Sequence, residues 1–218
     1  MIKLAALDIA GTTVAEDNQV YRVLADVVAE HGAPAPEAEI RRWMGADKRE
    51  ALAALTGDKA SVERLHDRFV TSLRAAYEAQ PPKPIPGVPQ ALQAMREAGV
   101  RVVLTTGFDR QITDPLLAAV GWRAGEHVDA VVCAVEAGGG RPLPLMIHRA
   151  MELTGVTDPG EVLTAGDTAL DIQAGRAAGA AMVVGVLSGA QTRTELAAEH
   201  PTHIVADVTR LPVLPLVE

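Results

Sequence analysis

The sequence predicts an α/β fold: a parallel sheet with helices on both faces, broken after its first strand by an all-helical insert. Three observations lead there. Residues 4–7 are an unbroken apolar run, ended by Asp8 and the turn Gly11-Thr12-Thr13. Too short for an ordinary helix, such a run reads as a strand buried on both faces. From residue 100 to 187, further apolar strand-like runs alternate with helical patterns, as parallel strands joined by helical crossovers do. Between the two regions lies Pro81-Pro82-Lys83-Pro84-Ile85-Pro86-Gly87, which can be neither helix nor central strand.

The elements follow in order. Tyr21, Leu24, Val27 and Val28 recur at helical spacing until His31-Gly32. A short helix runs from Pro36, a good first-turn residue, towards Trp43-Met44, and Gly45 breaks it. Asp47-Lys48-Arg49-Glu50 has the form of a capping box, opening a helix through Leu52 and Leu55 to Gly57. A longer helix spans 61–80, with Leu65, Phe69, Leu73 and Tyr77 at apolar positions. Beyond the proline segment, strands are expected at 100–104, 128–135, 162–165 and 181–187, with 203–206 a last short one. Helices are expected at 88–98, 115–120, 143–153 and 170–178. The division is therefore a core of 1–14 and 84–218 and a helical insert of 15–83.

Composition narrows the function classes. With 218 residues, 48% hydrophobic and 22% charged, the chain is long and apolar enough to bury a full core. A net charge of −8 argues against nucleic acid or an anionic membrane as partner. A small anionic substrate stays open, since local cations overrule net charge. Cys133 is the only cysteine and sits in the apolar run 131–135, so a buried thiol is expected and a disulfide within the chain is excluded. No apolar stretch is long enough to span a bilayer, and the first strand leaves no room for a leader, so a cytoplasmic location is expected.

Several residues at predicted strand ends carry chemistry. Asp8 closes the first strand, where open α/β sheets place their ligands. Gly11 permits a tight turn there, and Thr12 and Thr13 offer hydroxyls and backbone N–H groups to an anion. The strand at 100–104 ends in Thr105-Thr106-Gly107, and Arg141 precedes a proline-started helix. In Gly166-Asp167-Thr168-Ala169-Leu170-Asp171, two carboxylates straddle a strand end and the next helical turn, offering the hard oxygens that Mg²⁺ takes. Singly, each has a plainer reading as a turn aspartate, a β-branched strand end, a solvated arginine, or a helix cap with a first-turn acid. Those readings do not explain why both aspartates accompany Asp8.

Taken in order, these segments resemble the motifs of the haloacid dehalogenase superfamily, and Asp8-Ile9-Ala10-Gly11-Thr12-Thr13 resembles the nucleophile motif of its phosphonatase branch. The resemblance implies a Rossmann-like core with an all-helical cap. It makes Asp8 a nucleophile towards phosphorus, passing through an aspartyl-phosphate that water opens. It implies that Thr106, or else its neighbour Thr105, hydrogen-bonds a phosphoryl oxygen with Gly107 beside them, and that Arg141 neutralises the charge. Mg²⁺ would be held by Asp8, the carbonyl of Ala10 and Asp167, with Asp171 in support.

Ordinary members carry a second aspartate two residues beyond the nucleophile as general acid and base; here that residue is Ala10. General acid help is worth about 10²–10⁴-fold, so another device must serve the leaving group. In the phosphonatase branch a cap lysine in M-G-x-x-K forms a protonated Schiff base with the substrate aldehyde. This chain reads Met44-Gly45-Ala46-Asp47-Lys48, which implies Lys48 as that amine and Met44 as a neighbour of the substrate. A helix N-terminus lowers an amine pKa, whereas Asp47 raises it. The plainer reading of Lys48 is an anion-binding cation, and Ala51 stands where the branch has a histidine. The expected function is Mg²⁺-dependent cleavage of the C–P bond of phosphonoacetaldehyde or a related small phosphonate. The alternatives are a phosphatase of a small phosphate ester and, ranked last, a non-catalytic binding protein. The resemblance also implies a homodimer through the cap, with which Trp43 is compatible. His66, His148 and His203 are read as core or surface residues.

Overall fold

The computed structural model describes residues 1–213. Six strands form one parallel sheet: β1 (Leu4–Asp8), β4 (Arg101–Thr106), β5 (Ala130–Cys133), β6 (Val162–Gly166), β7 (Met182–Val186) and β8 (His203–Val205). Their order is β5-β4-β1-β6-β7-β8. The direction of winding reverses at β1, so the carboxyl ends of β1, β4 and β6 flank the crevice where such sheets bind ligands. The register sets Asp8 beside Thr105 and Leu7 beside Ala165.

Both sheet faces are covered, as the uninterrupted apolar strands require. Leu4 and Ala6 face α8 (Leu145–Thr154) and α9 (Ala169–Ala177), whose Met146, Ile147, Ala150 and Ala174 pack against them. Ala5 and Leu7 belong to the opposite face, with α5 (Val88–Glu97) and α6 (Arg110–Ala119) supplying Leu92, Met95, Ile112 and Leu116. A small third cluster joins Ile172 and Val183 to Leu196 of α10 (Arg193–Ala198). The Rossmann-like α/β core is therefore as expected.

Four helices fill the interval after β1: α1 (Gln19–His31), α2 (Glu37–Arg42), α3 (Lys48–Thr56) and α4 (Val62–Ala79). α1 packs on α3 and α4 and buries Val20, Val23, Leu24, Val27 and Val28. The chain leaves and re-enters the core through a two-residue antiparallel ladder, β2 (Val14–Ala15) with β3 (Lys83–Pro84). We assign this ladder as the seam between core and cap. Side-chain links also cross between them elsewhere. Arg41 of α2 forks onto Glu195 of α10 at 2.7 and 2.8 Å. Arg49 of α3 reaches Asp109 at 3.1 Å, and the buried His66 of α4 reaches the same carboxylate at 3.2 Å.

Several boundaries differ from the sequence expectation. The helix expected at 115–120 begins at Arg110, because the Asp109 side chain caps it by accepting from the Gln111 N–H. The strand expected at 128–135 pairs only over Ala130–Cys133. Ala134–Ala137 instead form one helical turn, α7, which Glu136 caps back to the Cys133 N–H and Gly138 ends at φ 82°. Asp47 caps α3 through the Arg49 and Glu50 N–H groups, only its own half of the box. The helix α10 and the β2–β3 ladder were not expected. Cys133 is buried and free, and among the described residues no helix is long and apolar enough to cross a membrane.

Phe69 of α4 is fully buried at the centre of the cap. Phe69→Ala is expected to lower unfolding stability by about 3–5 kcal/mol, read as a reduced urea midpoint with unchanged slope. A loss below about 1 kcal/mol would mean the cap does not depend on this contact.

Candidate active site

Arg141 lies buried at the crevice and touches four partners. Its Nη2 is 2.8 Å from Asp8 Oδ1 and its Nε is 2.6 Å from Asp171 Oδ1. Nη2 also donates to the Thr105 hydroxyl at 3.0 Å, and Nη1 donates to the Gly45 carbonyl of the cap at 3.2 Å. Asp171 is the third residue of α9. Its other oxygen accepts from the Thr168 hydroxyl at 2.5 Å and the Thr168 N–H at 3.1 Å, closing a capping box.

Asp167, at the end of β6, is almost wholly buried. Its Oδ1 accepts from the Thr12 hydroxyl at 3.0 Å and its Oδ2 from the Ala190 N–H at 2.7 Å. The loop after β7 closes over it: Ser188 Oγ donates to the Gly11 carbonyl at 2.8 Å, and a Cβ on Gly189 would lie 2.1 Å from Asp167 Oδ2.

Three carboxylates thus share a dry site with one guanidinium and one amine. Burial raises the Asp8 carboxyl well above its ordinary value, Arg141 pulls it back, and Asp171 and Asp167 push it further up. Asp167 is pushed up to about 6, chiefly by burial and then by Asp171. No trio of acidic, histidine or cysteine side chains converges on one point among the described residues. The charge excess nevertheless fits a divalent cation, for which two carboxylates, a backbone carbonyl and waters suffice. Asp8, Asp167 and the Ala10 carbonyl are the oxygens that would hold it, and Asp171 stands beside them with its oxygens on Arg141 and Thr168.

The cap closes the site from above. Lys48, the first residue of α3, is buried; its Nζ donates to the Ala46 carbonyl at 2.8 Å and lies 5.5 Å from the centre of the Phe108 ring. Burial lowers its ammonium to about 8, with Arg141 adding to the fall and Asp47 opposing it. A cavity of about 20 Å³, room for one water molecule, is lined by Asp8, Ala10, Tyr21, Lys48, Thr106 and Phe108 among others.

Alternation along β4 separates the two threonines: Thr106 lines this cavity, whereas Thr105 is turned to Arg141. Gly107 lines it too. Thr12 and Thr13 are fully buried and do not line it. Against expectation their hydroxyls brace the turn, Thr12 on Asp167 and Thr13 on the Asp8 carbonyl at 3.0 Å. Met44 is buried beside the cap loop without lining the cavity.

Sequence reasoning missed Phe108, Tyr21, the Ser188–Ala190 loop and Glu16. The loop was findable, since it follows an apolar strand end next to β6. Glu16 is buried where the chain enters the cap, accepts from the Val20 N–H at 2.9 Å, and has its carboxyl raised by burial to about 7.

A parallel sheet wound about β1, with an aspartate ending that strand and two more after β6, defines a hydrolase of the haloacid dehalogenase type. The family model for haloacid dehalogenase-like hydrolases matches residues 2–179, and the chain belongs to that family. Among curated relatives it is similar to the phosphonoacetaldehyde hydrolase of Paraburkholderia xenovorans, 29% identical over 191 residues, 80% of this chain and 71% of that one. Its fold resembles a hydrolase from Pseudomonas syringae, at TM-score 0.85 and 20% identity, with 97% and 96% of the chains covered. It also resembles a phosphonoacetaldehyde hydrolase-like protein from Oleispira antarctica, at TM-score 0.82 and 21% identity, with 96% and 90% covered.

Gly107 meets the cap so closely that a Cβ there would lie 2.6 Å from the Ala46 carbonyl oxygen. Gly107→Ala is therefore expected to lift the cap loop without unfolding the sheet. Hydrogen exchange of the amides at 45–48 should quicken about tenfold while β1 and β6 stay protected. Unchanged exchange would show that the loop yields at no cost.

Proposed function

We propose that the protein is an Mg²⁺-dependent hydrolase of a small phosphonate C–P bond, with phosphonoacetaldehyde or a close relative as substrate. One observation carries this reading: Lys48 lines the same small cavity as Asp8 and Ala10, whose side chain is a bare methyl. A phosphorus–oxygen bond breaks best with an acid beside the nucleophile, and Ala10 supplies none. A buried lysine that lines the cavity of Asp8, with its ammonium lowered to about 8, suits a carbonyl substrate instead.

In the proposed sequence the neutral Lys48 nitrogen adds to the aldehyde carbon and water leaves, giving an iminium. An Asp8 oxygen attacks phosphorus in line, the C–P bond breaks, and its electron pair moves into the iminium to leave an enamine. Protonation at carbon and hydrolysis release acetaldehyde and the free lysine. Water then opens the aspartyl-phosphate to phosphate and Asp8. Arg141 and Thr106 hold phosphoryl oxygens through the first displacement, and the closed cap keeps water away from the iminium. A bound Mg²⁺ supplies positive charge that screens the repulsion between Asp8 and the phosphonate. Asp8, Asp167 and the Ala10 carbonyl would hold it.

The second reading is a phosphatase of a small ester with a good leaving group. The buried methyl of Ala51, where the phosphonatase branch has a histidine, favours it.

Borohydride with phosphonoacetaldehyde should leave a reduced two-carbon adduct on Lys48. Lys48→Ala should abolish both adduct and turnover, by at least about 10³-fold. Full turnover by Lys48→Ala would discard the C–P reading in favour of the phosphatase. Imine formation needs the neutral amine, so trapping should rise with pH and level off above about 8; a lysine of ordinary pKa, about 10.4, would keep climbing.

Mg²⁺ at 100 times its Kd should stabilise the protein by about 2.7 kcal/mol, and Tm should rise by roughly 5–10 °C. Asp167→Asn should erase that rise. An equal rise in the variant would place the ion elsewhere.

A further inference from the structure

Of the cap residues lining the cavity, two carry a polar side chain: Lys48 and Tyr21. Tyr21 stands in the first turn of α1, and its ring packs against the main apolar cluster. The same cavity wall includes Ala10 on the core side, where the site has a methyl and no acid. Tyr21 and Asp8 line the same cavity; burial first, and then the carboxylates of Asp167, Asp8, Glu16 and Asp171, raise the phenol well above its ordinary value. Burial and these charges keep it protonated, so at neutral pH it is a donor. Arg141, Asp8 and Thr106 line the core side and suit the phosphoryl group. The substrate's organic end must then face the cap, between Lys48 and Tyr21.

We infer that the Tyr21 hydroxyl is a substrate-contacting hydrogen-bond donor, holding an oxygen on the non-phosphorus end of the substrate across the cavity from Asp8. It gives the cap a selective contact for substrates with a carbonyl or hydroxyl oxygen two carbons from phosphorus. Such a donor acts on the substrate's oxygen as it binds, before any bond to phosphorus breaks. No proton need be transferred. The inference deepens the reading above and rests on it only for an organophosphorus ligand held at Asp8.

The test compares two ligands that are not turned over, in the presence of Mg²⁺: 2-hydroxyethylphosphonate and ethylphosphonate, which differ by that oxygen. Calorimetry on the wild-type protein should show the hydroxylated ligand binding about tenfold more tightly. Tyr21→Phe keeps the ring and should erase the preference while leaving ethylphosphonate affinity within about twofold. No preference in the wild type overturns the inference, even should the variant fail to fold. A preference that survives Tyr21→Phe assigns the donor to Lys48 and overturns it too. Absence of C–P cleavage would fail the proposed reaction and leave this comparison readable.

Discussion

The arrangement depends on one buried guanidinium. Arg141 fixes Asp8, the first turn of α9, the end of β4 and the cap loop with a single planar group. A planar fork can do this and a point charge cannot, because its donors leave in fixed directions. Its removal would leave the carboxylates of Asp8 and Asp171 buried without their counter-charge, a loss of roughly 3–5 kcal/mol for a broken buried pair. The same contact ties chemistry to closure: the atom group that neutralises the site also holds the Gly45 carbonyl above it.

Charge explains the rest of the site's construction. Three carboxylates within a dry crevice repel one another, and the fold answers with local donors: Thr12 and the Ala190 N–H on Asp167, and Thr168 on Asp171. The two bonds to Asp167 come from separate chain segments that the sheet topology brings together, whereas Thr168 reaches Asp171 within one helical turn. The threonines after Gly11 are therefore part of the support of the aspartates, and the face open to a ligand is made by Thr106, Gly107 and the cap.

Much of the fold was legible in the sequence. Strands buried on both faces leave continuous apolar runs, so β1, β4, β6 and β7 could be located directly, and their alternation with helices required a parallel sheet. Strand-end residues were legible for the same reason, since finding a strand finds its end. What escaped reading has physical causes. The two-residue β2–β3 ladder has no periodicity and joins residues far apart in sequence. The start of α6 rests on the one side chain of Asp109, and α10 is announced only by the capping box of Thr192 and Glu195, which was overlooked. Tyr21 reads as one more apolar helix position, and no local pattern singles out Phe108. Their part in the cavity comes from how the cap sits on the sheet, which no local pattern encodes.

The ladder at the base of the cap also limits how the molecule can breathe. Both chain connections leave the core side by side, Val14 against Pro84 and Ala15 against Lys83. Everything else that ties the helices to the sheet is non-covalent, including Arg41 on Glu195, Arg49 and His66 on Asp109, and Arg141 on the Gly45 carbonyl. The cavity beside Asp8 has room for about one water molecule, so a larger ligand needs some of these contacts to part while the two adjacent connections stay joined.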